Sequence, residues 1–157
     1  MAWTNSKVFV STIEDMLENT TAIDLNTSTF HAALYNSTTV PSQTVTSANT
    51  AYAVDQWVVG NELDDGTDWD TGGEPLTTVT FAPTSNVLKF DADNTPQGGT
   101  TCTIAAAEGC LVYDFTVATP VDNQGISFHY FGGPQTVTLG TFTIVWNAAN
   151  GLFQITL

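Results

Sequence analysis

The sequence predicts a mainly β protein, an antiparallel β-sandwich or jelly-roll-like domain with one short N-terminal amphipathic helix. Threonine is the commonest residue and only 11% of the 157 residues are charged, a composition that favours strands over helices. In the last third of the chain apolar residues recur at every second position, as in Ile126, Phe128 and Tyr130. This period places them on one strand face. Short alternating segments between turns are typical of sandwiches, and the length suits one domain over residues 1–157.

Residues 6–18 predict the helix. Its apolar side chains recur at i, i+4, i+7 and i+8, which places them on one helix face, with acidic residues on the other. Asn5 or Ser6 can cap its start, and the polar residues 19–21 end it. The apolar positions are Phe9, Ile13, Met16 and Leu17.

Eight short strands are predicted along the rest of the chain. Each combines β-branched or aromatic residues with an apolar alternation, and turn-forming residues bound it. We expect the last two strands to form a hairpin that ends the chain, with its aromatic face in the core. The predicted strands cover residues 29–35, 76–81, 86–90, 100–104, 110–117, 126–130, 142–146 and 153–157.

Loop and turn residues separate these strands. Residues 36–49 are rich in Ser, Thr and Pro and predict a long exposed loop. Residues 82–85 predict a four-residue hairpin turn, and residues 91–99 are also turn-forming. Glycine and asparagine in residues 132–134 and 147–151 predict two chain reversals, because both residue types tolerate positive φ.

The charge of the chain excludes two classes of partner. Sixteen acidic residues stand against Lys7 and Lys89, with no arginine, for a formal net charge of −14. Such a chain repels phosphate, so we expect neither nucleic-acid binding nor attachment to anionic membranes. The N-terminus lacks the apolar segment of a signal peptide, and no stretch is long enough to span a bilayer. We therefore expect a protein that is made in a cytoplasm.

No catalytic set is evident. His31 and His129 are the only side chains that titrate near neutral pH, and neither stands in a motif with a nucleophile. Paired carboxylates for glycoside hydrolysis leave no sequence spacing, so this alternative stays open. Cys102 and Cys110 are predicted to be reduced and buried, with a bridge between them as the alternative. We predict no enzyme and no cofactor.

The densest acidic cluster offers a calcium site as one interpretation. Asp64, Asp65, Asp68 and Asp70 lie in a glycine-containing loop, and carboxylate oxygens suit Ca²⁺. The order of acids does not match an EF-hand, and no Glu closes a twelve-residue loop. A solvated acidic turn is the interpretation that we favour, and no metal is predicted.

Several aromatic and apolar residues outside the strands are candidates for contact with other molecules. Trp57 and Trp69, with Tyr52, could form a platform on which a sugar stacks, as in carbohydrate-binding modules. Equally, they could lie in the core or contact another subunit. The candidates for assembly contacts are Trp3, Val40, Tyr52, Trp57 and Trp69.

Five segments carry a resemblance to a known family. Residues 1–9 and 22–36 contain a predicted helix start followed by Ile-Asp-Leu-Asn-Thr-Ser-Thr-Phe-His-Ala-Ala-Leu-Tyr, while residues 109–114, and residues 140–146 followed by 151–153, contain the later strands. These segments resemble a family of small tailed-bacteriophage virion proteins, in which a helix leads into a strand of the form I-D-L-D-T-D-T-x-K-V-A-L-Y. Asn26 and Ser28 replace acids of that pattern, and His31 replaces its lysine.

The resemblance implies a non-enzymatic structural virion protein, a capsid-decorating or minor capsid protein on the outside of the shell. A tail or head-fibre adaptor is the alternative, and a carbohydrate-binding module is a further one. The implied partners are the major capsid protein or other virion proteins. We also expect copies of the chain to associate with one another, with a trimer as one form.

Overall fold

The strands form two antiparallel sheets in this computed structural model, which describes residues 3–95 and 100–157. The prediction of a mainly β, antiparallel fold with a short N-terminal helix is confirmed. The helices are α1 (Val10–Leu17) and α2 (Ser47–Thr50), and single 3-10 turns lie at Asp55–Trp57 and Val59–Asn61. The strands are β1 (Lys7–Val8), β2 (Phe30–Tyr35), β3 (Glu62–Leu63), β4 (Glu74–Pro75), β5 (Thr80–Thr84), β6 (Val87–Asp91), β7 (Cys102–Asp114), β8 (Gly125–Gly140) and β9 (Phe153–Thr156).

The large sheet has the strand order β1-β8-β7-β2-β3, and β4 also pairs with β2. The small sheet has the order β5-β6-β9. In the large sheet β2 runs antiparallel to β7 with Phe30 opposite Asp114 and Tyr35 opposite Gly109. Strand β7 therefore lies in the middle of the large sheet, between β8 and β2.

Both faces of the large sheet are buried at its centre. The first core lies between the two sheets, where the Phe30 ring on β2 is 5.2 Å from the Phe90 ring on β6. The second core lies on the opposite face, where Trp57 packs with its ring 5.1 Å from that of Tyr35. Every residue of β7 from Ala107 to Asp114 is buried as a result, a pattern typical of strands that are covered on both faces.

Helix α1 is shorter than predicted, because the residues before it form β1. The Phe9 N–H donates to the Ile126 carbonyl at 3.1 Å, which ties the start of the helix to β8. Thr12 is buried, and its hydroxyl donates to the Gly125 carbonyl at 2.6 Å. Met16 packs against the first core as predicted, whereas Leu17 is 82% exposed, so its place on the buried face was predicted wrongly.

The β5–β6 hairpin is present, but its turn was placed wrongly. Thr84 pairs with Val87, so the turn consists of Ser85 and Asn86, and Ser85 adopts a φ of 56°. Pro83 lies inside β5 instead of in the turn. Strand β5 is an edge strand of the small sheet, the position at which a sheet tolerates proline.

Strands β7 and β8 are longer than the sequence predicts. The predicted strands 100–104 and 110–117 are one strand, and β8 continues through residues 132–134, where a reversal was predicted. Gln135 and Tyr130 are five residues apart, whereas their partners on β7, Ala107 and Gly109, are only two apart. The glycines in this segment, with φ of 84° and 141°, thus serve a bulge and not a turn.

The predicted C-terminal hairpin is wrong in its pairing. Strand β9 pairs with β6, with Phe153 opposite Phe90, and not with residues 142–146. Those residues make one isolated bridge, between Ile144 and Thr95. Their predicted alternation is confirmed, because Phe142, Ile144 and Trp146 are buried. The reversal over residues 147–151 is also present, closed by a bridge between its two end residues.

Among the described residues, no helix has the length and apolar character needed to cross a membrane. The predicted turn over residues 91–99 and the family resemblance over residues 1–9 each include positions outside the described residues, namely 96–99 and 1–2.

Candidate functional site

The acidic loop is organised around Asp65. One carboxylate oxygen of Asp65 accepts hydrogen bonds from the N–H groups of Thr67, Asp68 and Trp69, and the other accepts from the Thr103 N–H at 3.1 Å. Although burial raises the pKa of Asp65, these four N–H donors outweigh it and hold the pKa well below its usual range. The Asp65 carboxylate therefore holds the loop to β7.

The other acids of the loop do not converge with Asp65. Asp68 accepts a hydrogen bond from the Thr101 hydroxyl at 2.9 Å, while Asp64 and Asp70 are exposed. Over residues 3–95 and 100–157, no group of three or more His, Cys, Asp or Glu side chains is arranged to hold a metal ion. The four candidate calcium ligands are thus spread over a turn whose central carboxylate is occupied by backbone donors.

Three of the five candidate assembly contacts are core residues. Trp3, Trp57 and Trp69 are 3%, 0% and 0% exposed, so the prediction that they contact another molecule at the surface is wrong. Their rings pack on other aromatic side chains inside the fold, which is the commoner role of large aromatics. The same burial removes Trp57 and Trp69 from any platform for sugar stacking. Val40 is 47% exposed, and Tyr52 is half-buried.

Tyr52 belongs to a hydrogen-bonded cluster at the margin of the second core. Its hydroxyl donates to Glu62 at 2.7 Å, and its ring stacks on Tyr113 with 4.9 Å between centroids. The Gly72 N–H also donates to Glu62, at 2.7 Å. Burial, with a smaller contribution from the nearby Asp64 charge, raises the pKa of Glu62 despite these two donors. Tyr52 is therefore held within the fold by a partly buried carboxyl group.

The His31 side chain makes contacts with two other parts of the fold. Its Nδ1 lies 3.1 Å from the Gly73 carbonyl, and its ring stacks on that of Phe115 with 4.4 Å between centroids. Phe115 is 56% exposed, so this stack lies at the surface. These contacts connect the end of β7 to the loop before β4.

His129 lies beside a serine, the pairing that nucleophilic catalysis would need. The Ser127 hydroxyl is 2.9 Å from His129 Nε2, and the imidazole packs edge-on to Trp146 with 5.1 Å between centroids. Ser127 is fully buried, however, and no described carboxylate forms a hydrogen bond with the His129 ring. A fully buried hydroxyl has no access to substrate, so the contacts of this pair are those of packing within the fold.

We expect acid to destabilise the fold through His129. Burial lowers its pKa from 6.5 to about 4, so the unfolded chain binds more protons between these pH values. The free energy of unfolding should therefore fall as the pH drops through this window, by up to about 2 kcal/mol between pH 7 and pH 5. Urea denaturation at both pH values measures the change. The loss should disappear in His129→Gln, and an equal loss in both proteins would contradict the assignment.

Both cysteines are free and buried. Burial, strengthened by the nearby Asp65 charge, raises the pKa of Cys102 to about 11, and burial also raises that of Cys110. Thiols with raised pKa values are poor nucleophiles at neutral pH, because little thiolate is present. The structure therefore agrees with the prediction of reduced, packed cysteines.

An open groove lies between β8 and residues 141–153 and is here called the C-terminal groove. Three adjoining cavities of about 500, 370 and 200 Å³ make it up. The first and second share lining residues from both sides, including Phe131 on β8 and Ile144 opposite, and the second and third share His129 and Leu152. The groove thus runs along the margin of the large sheet toward the start of β9.

The C-terminal groove lies in the uncharged part of the chain. All 16 acidic residues and both lysines belong to residues 1–124, and residues 125–157 contain no charged side chain. Lys7 is the charged residue among the described lining of the groove, at its β1 end. Leu139 and Val145, in the uncharged segment, are each 72% exposed. A surface with few charges and with exposed apolar side chains such as these, on a strongly acidic protein, is suited to contact with protein.

Sequence reasoning missed the C-terminal groove, because it considered strand faces and motifs. One signal was available, since the last charged residue of the chain is Asp122. A composition change of this kind indicates that the last strands contribute a surface different from the rest.

Comparison with known proteins gave no match, as no family model, no curated protein sequence and no solved structure is similar to this chain. The resemblance to phage virion proteins therefore stays a prediction.

Proposed function

We propose that this chain is a non-enzymatic structural protein of a tailed-bacteriophage virion, which assembles with other protein subunits on the outside of the capsid. The observation that carries the proposal is the segregation of charge. A protein of net charge −14 has a groove whose lining from residues 125–157 carries no charged side chain, with Lys7 at its β1 end. Another protein surface can pack on such a face without burying an unpaired carboxylate, which is costly.

The electrostatics of the remaining surface favour the outside of the particle. With 16 acids against two lysines, the chain repels packaged DNA, so a position lining the inside of the shell is unfavourable. The resemblance of the sequence to virion proteins is the reason for proposing that the particle is a tailed-bacteriophage virion. The major capsid protein or another virion protein is then the partner, and a tail or head-fibre position is the alternative within the same proposal.

The surface that faces the shell is proposed to lie on the loops between β2 and β3. Val40 is 47% exposed, and Val54, Val58 and Val59 on the same loops are 41% to 43% exposed. Exposed valines on loops with few charges can make apolar contacts that hold a subunit on a partner without charge attraction. Val40 is the most exposed of the five candidates for assembly contacts, which makes it the position to test.

The location of the chain tests the proposal. Mass spectrometry should detect the chain in purified particles of the phage that encodes it, and gold-labelled antibody against it should bind intact capsids from outside. Labelling of the tail alone would select the tail or head-fibre alternative. Absence of the chain from purified particles would overturn the proposed function.

The salt response of attachment provides a second test, with purified protein added back to particles that lack it. Because contact is proposed to be apolar and the charges repel, binding should hold or strengthen from about 20 mM to about 300 mM NaCl. Val40→Asp should weaken binding, whereas Leu17→Asp, a change at the 82% exposed end of α1, should not. Release by moderate salt would show that charge attraction holds the protein.

A further inference from the structure

The outer edge of β8 has a partner strand along only part of its length. Strand β1 pairs there through Lys7 opposite Phe128 and Val8 opposite Ser127, and the Tyr130 N–H then donates to the Ser6 hydroxyl at 3.0 Å. Outside the β7–β8 ladder, no backbone–backbone hydrogen bond joins residues 131–140 to another described residue. An unpaired edge of this kind is a template for an added strand.

This edge also lacks the charges with which proteins commonly protect sheet edges. Residues 131–140 contain no charged side chain, whereas natural edge strands often carry lysine or other charges that prevent pairing with a second chain. Pro134 and the bulge interrupt the segment at one end. From Gln135 to Gly140 the strand pairs with β7, and none of the other described strands pairs with it there.

Space for another strand lies beside the edge. The 500 Å³ cavity of the C-terminal groove is lined by Tyr130, Phe131 and Val137 from β8 and by residues 141–145 on the other side. Exposed Leu139 and Val145 are available for apolar contact near this cavity. A strand added to β8 would therefore gain both backbone hydrogen bonds and contacts for its side chains.

The distribution of charge points to the occupant. Two copies of a chain with net charge −14 repel each other wherever acidic surfaces meet, and residues 125–157 are the segment in which they can meet without a carboxylate. Glu108, on the neighbouring strand β7, is only 7% exposed. A second copy presents the same uncharged edge, with the same alternation of donors and acceptors, so the two edges are complementary to each other.

We propose that two copies of this chain pair β8 with β8 in antiparallel orientation about a two-fold axis, which joins their large sheets into one. This inference rests on the proposed function, because it names the protein that the uncharged face contacts. The contact is isologous, so it forms a dimer. It therefore differs from the trimer that the sequence analysis offers as one form.

Sedimentation velocity of the purified chain tests the pairing. The wild-type protein should form a dimer whose dissociation constant decreases from about 20 mM to about 300 mM NaCl, because salt screens the repulsion between copies. Leu139→Glu on β8 and Val145→Glu in the lining of the adjoining cavity each add a carboxylate to the uncharged segment and should raise the dissociation constant at least about tenfold. Leu17→Glu adds the same charge at an 82% exposed leucine of α1 and should leave it nearly unchanged. Circular dichroism establishes that each variant is folded.

Amide hydrogen exchange locates the contact. Exchange in residues 131–140 should slow as the protein concentration rises, while exchange in residues 36–46, between β2 and α2, should not change. A chain that stays monomeric at all concentrations, or a dimer that leaves residues 131–140 unprotected, would overturn the pairing. The outcomes of these experiments and of the particle experiments can be told apart. If the chain is present on particles but monomeric, the pairing alone is overturned. If the chain is a dimer but absent from particles, the proposed function alone is overturned.

Discussion

Trp57→Ala is expected to reduce the free energy of unfolding by about 3–5 kcal/mol, a large share of the stability of a single domain. The Trp57 side chain is fully buried, and its ring lies 5.8 Å from that of Trp3, 6.1 Å from that of Phe9 and 5.1 Å from that of Tyr35. Trp3 precedes β1, Phe9 precedes α1 and Tyr35 ends β2, so the indole packs against three separate parts of the chain. Urea denaturation followed by tryptophan fluorescence measures the loss.

Two further variants serve as controls for Trp57→Ala. Val58→Ala changes the next residue, which is 41% exposed, and should cost less than about 1 kcal/mol. Trp57→Phe should fall between the two, because it keeps much of the packing and removes an indole N–H that has no hydrogen-bond partner among the described residues. Equal denaturation midpoints for Trp57→Ala and Val58→Ala would show that Trp57 is not a core residue.

Gly73→Ala is expected to cost at least about 3 kcal/mol, because two penalties act together. Gly73 adopts a φ of 73°, and a Cβ there would overlap the backbone of Ala32 and Ala33 in β2. The obstacle is the main chain of a central strand, so it cannot rotate away as a flexible side chain would. Thermal or urea denaturation, with the wild-type protein beside the variant, measures the effect.

Gly66→Ala separates the two penalties. Gly66 has a similar φ of 69°, but no atom lies within 4 Å of the position that its Cβ would take. This variant should therefore lose only the backbone term, about 1–2 kcal/mol. If the two variants lost equal stability, the close approach of Gly73 to β2 would be contradicted.

The sequence predicted those features of the fold whose cause lies within a single segment of the chain. Alternation at Phe142, Ile144 and Trp146 predicted which side chains point inward, and these residues are buried. The helical spacing before residue 19 likewise predicted α1. Both signals follow from the geometry of one segment, whose period decides which side chains share a face.

Pairing between strands was not predictable in the same way. Alternation in Phe153 and Ile155 indicates a strand but does not say which neighbour it joins, and β9 pairs with β6 instead of residues 142–146. The glycines of residues 132–134 were taken for a turn, since positive φ serves turns and bulges alike. Which one forms depends on whether the partner strand β7 continues beside it.

Aromatic residues in irregular segments were the least predictable. Trp3, Trp57 and Trp69 lie outside any periodic pattern, so the sequence left core and surface roles equally open, and all three are buried. Their burial follows from loops that fold back over the large sheet. Contacts between segments so far apart in the chain leave no local signature.

The features of the candidate site also separate into those with a local cause and those that depend on packing between distant segments. The sequence by itself determined a mainly β chain, a net charge of −14 and a last segment, residues 125–157, without any charge, because these are properties of composition and local period. Only the tertiary structure decided that this segment borders a groove and that, among the described strands, residues 135–140 of β8 pair with β7 alone. A strand edge is free or covered according to which distant segments reach it, and that depends on the packing of the whole chain.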